Sequence, residues 1–228
     1  MRFLKFAPAA ALFLLAGLFS AAPSAFAQYH FGYSQSRNIE ITGFGGGRFF
    51  GNIDLPNASN GLYPYDYLKI DNSYDYGVIG DIGLIGPLEA EFTWSRQPTN
   101  FEAHDYSTGA LSPAGNVTLD NFQWSILYQL GDSSAKLRPY FGGGVGFTHW
   151  ENAAADDLPF TNTVGFNLGG GVKYYFMKHL GARIDFRWLP TRTTSQLGYE
   201  YTYFGPVEVN INNYAQQISL NGGLIFRF

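Results

Sequence analysis

The sequence has no cysteine among its 228 residues, and that absence excludes a disulfide framework, thiolate metal sites, a cysteine nucleophile and a lipidated N-terminal cysteine. It is also poor in charge. Asp, Glu, Lys and Arg make up 14%, against about 25% in ordinary soluble domains. It has no apolar run of the roughly 20 residues that a spanning helix needs, apart from an N-terminal stretch. Net charge is -4, with no basic face to neutralise phosphates, so nucleic acid is excluded as a partner. What is abundant is Gly (28), Phe (21) and Tyr (16). A chain so rich in aromatics and glycine, yet near zero in mean hydropathy (-0.10), must segregate its apolar surface by pattern rather than by long hydrophobic blocks.

The N-terminus reads as an export signal. Arg2 and Lys5 form a positive n-region, the apolar stretch 9–22 follows, and Ala25-Phe26-Ala27 precedes Gln28 as an A-x-A cleavage site. Residues 1–27 are therefore expected to be a signal peptide and 28–37 a short periplasmic segment, leaving 38–228 as one domain. Loss of Arg2 and Lys5 takes the formal net charge from -4 to -6.

Beyond residue 38 the periodicity is that of strands. In 88–95, Leu88, Ala90, Phe92 and Trp94 alternate with Glu89, Glu91, Thr93 and Ser95, and 217–228 alternates in the same way. The pattern predicts eight strands near 38–50, 73–84, 88–97, 119–130, 137–150, 162–176, 181–192 and 214–228. Connections after the second, fourth and sixth are short (85–87, 131–136, 177–180). Those after the first, third, fifth and seventh are long (51–72, 98–118, 151–161, 193–213), and the last holds two short alternating stretches that predict a β-ribbon. Short periplasmic turns alternating with long external loops define an eight-stranded antiparallel up-and-down transmembrane β-barrel, an all-β fold.

Parity from Phe228 sorts the side chains. The lipid-facing set has no charge in any of the eight strands, as a bilayer requires, because Arg or Lys at mid-membrane costs about 2–4 kcal/mol. The other face gathers Glu40, Arg48, Asp75, Asp81, Glu89, Glu91, Arg138, Lys173, Arg183, Asp185, Arg187 and Arg227. Acids and bases in equal number predict a lumen charge network with carboxylate–guanidinium bridges, and a Glu40–Arg227 pair across the seam of first and last strands. Water-separated charges on the wall of an open channel are the alternative. Trp94, Trp124, Trp150 and Trp188 are expected in an external aromatic girdle, with Tyr128, Tyr174, Phe176 and Phe228 at the periplasmic end.

The signal, the eight strands, the segment Arg138-Pro139-Tyr140-Phe141-Gly142-Gly143-Gly144-Val145-Gly146 and the terminal Leu224-Ile225-Phe226-Arg227-Phe228 together resemble the OmpA-like and opacity-type outer-membrane β-barrels. The resemblance covers nearly all the mature chain. It implies residence in the bacterial outer membrane, contact with outer-membrane lipid and lipopolysaccharide, and delivery by periplasmic chaperones to the barrel-assembly machinery, with Phe226 and Phe228 in the assembly signal. Such barrels serve as anchors, adhesins, small pores and lipid-modifying enzymes. The deacylases among them carry an H-x-S pair, absent from Thr148-His149-Trp150-Glu151. The expectation is therefore a non-enzymatic protein without cofactor or metal, acting structurally or by binding an extracellular ligand through tyrosine-rich external loops. A small passive pore is the alternative and a lipid-modifying enzyme the weaker one.

Overall fold

The computed structural model describes residues 38–54, 65–105, 107–132, 134–152, 162–202 and 205–228. The expected signal peptide, its cleavage site and the segment 28–37 lie outside the described residues. Ten strands follow in chain order: β1 (Ile39–Phe50), β2 (Ile53–Asp54), β3 (Tyr65–Ile70), β4 (Ser73–Gly83), β5 (Leu88–Asp105), β6 (Leu111–Gln129), β7 (Leu137–Asn152), β8 (Asn162–Met177), β9 (Leu180–Thr202) and β10 (Gly205–Arg227). Eight of them, β1 and β4 to β10, close an antiparallel barrel. Each pairs with its neighbour in sequence, and β10 returns to β1 in a register that opposes Glu40 to Arg227 and Phe50 to Gln217. The small β2–β3 hairpin continues the wall outward beside the upper part of β5.

The barrel is apolar outside and polar inside. Val164 and Ile184 are 68% and 64% exposed, whereas Lys173 and Gln217 are fully buried. That distribution is stable only if hydrocarbon replaces water around the wall.

The strands run further outward than their pattern suggests. A crossing takes about 9–11 residues, so the 18 residues of β5 and 23 each of β9 and β10 project well beyond the membrane. The stretch 98–118, expected as a loop, is largely strand. It becomes a continuation of the β5–β6 hairpin, paired from Pro98–Thr118 out to His104–Leu111. Pro98 obscures this in the sequence because it offers no N–H to a ladder. On the β4 side the ladder is interrupted just there. Asp71 and Asn72 separate β3 from β4, and the gap is bridged by Ser73 Oγ donating to Pro98 O (2.6 Å), Thr99 Oγ1 to Asp71 O (2.6 Å) and Asp71 N to Asn100 O (3.0 Å). The β9–β10 ribbon forms as the alternation predicts, with one bulge between Glu208 and Asn210.

Two glycines are demanded by geometry. Gly86, with φ 63°, makes the left-handed position of the 85–87 turn. A side chain at Gly144 would collide with the backbone of Trp124 and Ser125 on β6, so the tight curvature between β6 and β7 depends on its absence.

Candidate functional site

Alternation along each strand aims one residue in two at the barrel axis, and eight strands bring those residues within bonding distance across it. Nearest the periplasm, Lys173 Nζ donates to Glu40 (2.9 Å), Asp81 (3.1 Å) and Glu89 (2.8 Å). Glu40 also accepts from Tyr175 OH (2.7 Å) and Arg227 Nε (2.8 Å). The Arg227 and Arg138 guanidiniums lie over the Tyr175 ring at 3.8 and 4.6 Å, and Arg138 Nε donates to Ala135 O (3.0 Å).

Asp81 Oδ2 is the joint to the next layer, since it accepts from Arg183 (3.3 Å) as well as from Lys173. Arg183 also pairs with Glu91 and Asp185, and Arg187 with Asp185 (2.7 Å) and Glu91 (2.6 Å). Tyr140 OH donates to Asp185, and its ring lies 4.7 Å from the Arg183 guanidinium. The network thus takes in residues from β1, β4, β5, β7, β8, β9 and β10, and Arg187 reaches Ser125 on β6 at 3.4 Å.

Further out, Arg48 donates to Asp75 (2.6 Å), Ser95 (2.8 Å) and Gln217 (3.4 Å), while Thr148 and Ser125 bond Asn121 and Asn167. Above this polar zone the interior turns apolar. Phe50, Ile70, Phe101, Val117, Leu119, Trp150 and Ala215 form one buried cluster, with the Phe101 and Trp150 rings stacked at 5.9 Å.

Each lumen residue singled out from the sequence, Glu40, Asp81, Glu89, Glu91, Arg138, Lys173, Arg183, Asp185, Arg187 and Arg227, faces this interior. Tyr140 and Tyr175 were not singled out, although each shares the inward parity of an adjacent charge (Arg138, Lys173). Trp150 corrects an expectation. It is 3% exposed, donates from Nε1 to Thr163 Oγ1 (2.8 Å) and belongs to the interior cluster rather than to the external girdle. Trp94, Trp124 and Trp188 lie on the outer wall, where Trp124 packs on Phe92 and Trp188 meets the edge of Phe166 while donating to Gln216 (2.7 Å). Tyr128 packs on Phe141, and Tyr174, Phe176, Phe226 and Phe228 are exposed on the same outer surface.

The extramembrane wall carries its own polar contacts. Arg96 meets Glu151 (2.6 Å) and Asp120 (3.6 Å), so the glutamate near His149 is held by an arginine, while His149 Nδ1 lies 3.0 Å from Asn162 Oδ1. Tyr67 stacks on His104 at 4.3 Å, beside Lys69, whose pKa is raised by its bonds to Glu102 and Asp71. Tyr67 is the one external-loop tyrosine whose side chain is described; Tyr63 and the side chains of Tyr65, Tyr199, Tyr201 and Tyr203 lie outside the described residues. Among the described residues no three His, Asp or Glu side chains form a metal cluster.

At the β5–β6 tip, Asp105 Oδ1 accepts from Ser107 Oγ (2.7 Å), Ser107 N (2.8 Å) and Thr108 N (2.9 Å), bonds that hold its pKa down to about 2. A depressed carboxylate pKa means the contribution is complete above the unfolded value of about 3.9 and is lost as pH falls through the folded one. The Ser107 and Thr108 amide resonances are therefore expected to titrate near pH 2, not near 4. A midpoint near 4 would show that the turn does not hold the carboxylate.

A closed eight-stranded barrel with an uncharged outer belt, aromatic side chains on its outer wall and long hairpins beyond the membrane is an integral outer-membrane protein. Residues 11–226 match the family described as the outer membrane protein beta-barrel domain, and the chain belongs to that family. Its fold is shared with the outer membrane protein OprG from Pseudomonas aeruginosa (TM-score 0.60, 12% identity, 84% of this chain and 96% of that one). It is shared also with AlkL, solved in DMPC bilayers (0.58, 18% identity, 89% and 97%), and with neisserial surface protein A (0.52, 12%, 85% and 98%). No curated protein matches the chain by sequence. The family places it in the bacterial outer membrane.

Proposed function

We propose that the protein is a sealed, non-catalytic barrel that works as a membrane-embedded platform, presenting its external hairpins to an extracellular ligand. The observation that carries this reading is the filled lumen: ion pairs joined by shared carboxylates across the axis, under an apolar cluster at the outer mouth. A hydrated channel leaves its wall charges solvated, whereas Lys173, Arg183 and Glu91 have almost no exposed side chain. Cleavage after Ala27, delivery by periplasmic chaperones, recognition of Phe226 and Phe228 by the barrel-assembly machinery, and contact with lipopolysaccharide belong to the same proposal. Support for the non-catalytic part comes from the residues beside His149, where Glu151 is bound to Arg96.

Planar-bilayer recording of the refolded barrel tests the seal. The wild type is expected to hold no sustained open state. Glu89→Ala and Arg183→Ala should remain closed because the apolar cluster persists, and Arg183→Ala combined with Phe101→Ala should conduct. Steady wild-type current, unchanged by these substitutions, would replace the platform by a passive pore.

A further inference from the structure

Among the described residues, the outer face of the external half carries Lys69, Arg96 and Arg192, and their surroundings differ. Lys69 is held by Asp71 and Glu102, and Arg96 by Asp120 and Glu151. Arg192 on β9 is exposed and bonds no carboxylate among the described residues. It shares the parity of Ile184, Phe186 and Trp188, which places it on the lipid side of the wall. A second donor lies beside it. On β10, Tyr214 opposes Arg192 and Gln216 opposes Pro190, so Gln216 is the diagonal neighbour of Arg192, about 7–8 Å away and within reach of an arginine side chain. An indole nitrogen can only donate, so the bond from Trp188 Nε1 to Gln216 Oε1 (2.7 Å) fixes which end of the amide is which and leaves the Gln216 NH2 without a bond among the described residues. Guanidinium and amide together present donors alone.

Strand length sets the height of this pair. A crossing takes about 9–11 residues, and counted from Leu180 at the periplasmic turn it ends near Pro190. Arg192 comes two residues later, about 5 Å higher along a tilted strand. The headgroup layer on each side of the hydrocarbon core is about 5–7 Å deep, so Arg192 lies within it. Gln216 agrees, being the first polar outward residue of β10 above Ile218 and Leu220. From here β9 runs on to Thr202 on the side of the long hairpins, which is the external side.

We propose that Arg192 and Gln216 bind a phosphate group on the headgroup of an outer-leaflet lipid. Donors with no carboxylate among them suit an anion that has several acceptor oxygens, and a guanidinium meets phosphate through two parallel bonds. Position favours a lipid as the source of that phosphate. Trp188, Phe166 and Ile218 lie on the lipid side directly below, with the Phe166 and Trp188 rings edge to face, so an anion held by Arg192 sits over acyl chains. The inference rests on the lipopolysaccharide contact proposed above and not on the sealed lumen.

Native mass spectrometry of the full refolded barrel, washed in detergent, tests the proposal with three probes: bisphosphorylated lipid A, the same lipid with both phosphates removed, and inorganic phosphate alone. The wild type is expected to retain lipid A about tenfold better than its dephosphorylated form, as one charge-assisted contact warrants, and to retain no inorganic phosphate. Arg192→Gln should lose that tenfold preference. Trp188→Phe, which keeps a ring but releases the Gln216 amide, should lose about threefold. Arg96→Gln, whose guanidinium is already held by carboxylates, should behave like the wild type. Heat-modifiable gel migration checks that each variant is folded. Equal retention of lipid A by wild type and Arg192→Gln overturns this site while leaving the lipopolysaccharide contact standing, whereas a wild type that retains no lipid A overturns both. An equal loss in Arg96→Gln, or inorganic phosphate held as well as lipid A, also overturns the proposal, the first by reducing it to general surface charge and the second by removing the lipid.

Discussion

Lys173→Met is expected to lower barrel stability by about 3–5 kcal/mol, the usual penalty for removing one member of a buried ionic cluster. Three carboxylates, Glu40, Asp81 and Glu89, converge on this ammonium at 2.8 to 3.1 Å, and its side chain has no exposed surface. Without it their mutual repulsion is compensated from the periphery, by Arg227 at Glu40, Arg183 at Asp81 and the charge of Arg138 near Glu40 and Glu89. An ammonium suits the position because its three donors can each take a different acceptor, whereas a guanidinium presents a planar fork. Lys173→Arg should therefore also lose stability, and neutralising the acids alongside Lys173→Met, as Asp81→Asn and Glu89→Gln, should recover a large part of the loss. Urea titration of the refolded barrel, read by the folded and unfolded bands on an unboiled gel, measures all three. A Lys173→Met barrel within about 1 kcal/mol of wild type, the range of a surface pair, would mean that the cluster is solvated and the lumen open.

The architecture was legible because two solvents leave two clean parities. Once Phe228 is set towards lipid, the inward position of Glu40, Asp81, Lys173 and Arg183 follows by counting, and the Glu40–Arg227 pair follows from the seam. Which acid meets which base does not. Lys173 on β8 meets Asp81 on β4 through the depth of the barrel, and that meeting depends on strand tilt and stagger that one sequence does not encode locally. Parity also held the answer for Trp150. Phe141, Val145 and Phe147 put the odd positions of β7 on the lipid side, so residue 150 belongs inside; the preference of tryptophan for membrane interfaces pointed the other way. The outer apolar cluster was hidden for a different reason. Ile70, Phe101 and Val117 lie in stretches rich in Asn, Pro, Asp and Gly that read as loops, and they become a core only when β5 and β6 continue past the membrane and fold them inward.

Phe101→Ala should be the most costly change in that outer core, at about 3–5 kcal/mol for a buried aromatic, with Trp150→Ala in the same range. Phe101 is 1% exposed and its ring lies flat against the indole, so truncating either leaves a void lined by Ile70, Val117 and Leu119. Trp150→Ala also strips Thr163 Oγ1 of its indole donor. The loss should be local, because the ion network below the cluster shares no side chain with it. The membrane-spanning barrel should still migrate as folded on an unboiled gel, while trypsin cleavage after Lys69, in the strand that contributes Ile70 to the cluster, accelerates at least tenfold. Trp150→Phe keeps the ring stack without the indole donor and should fall between the two. A girdle tryptophan facing lipid would behave otherwise: its truncation would leave cleavage after Lys69 at the wild-type rate, and that result would move Trp150 out of the interior and remove the outer half of the seal.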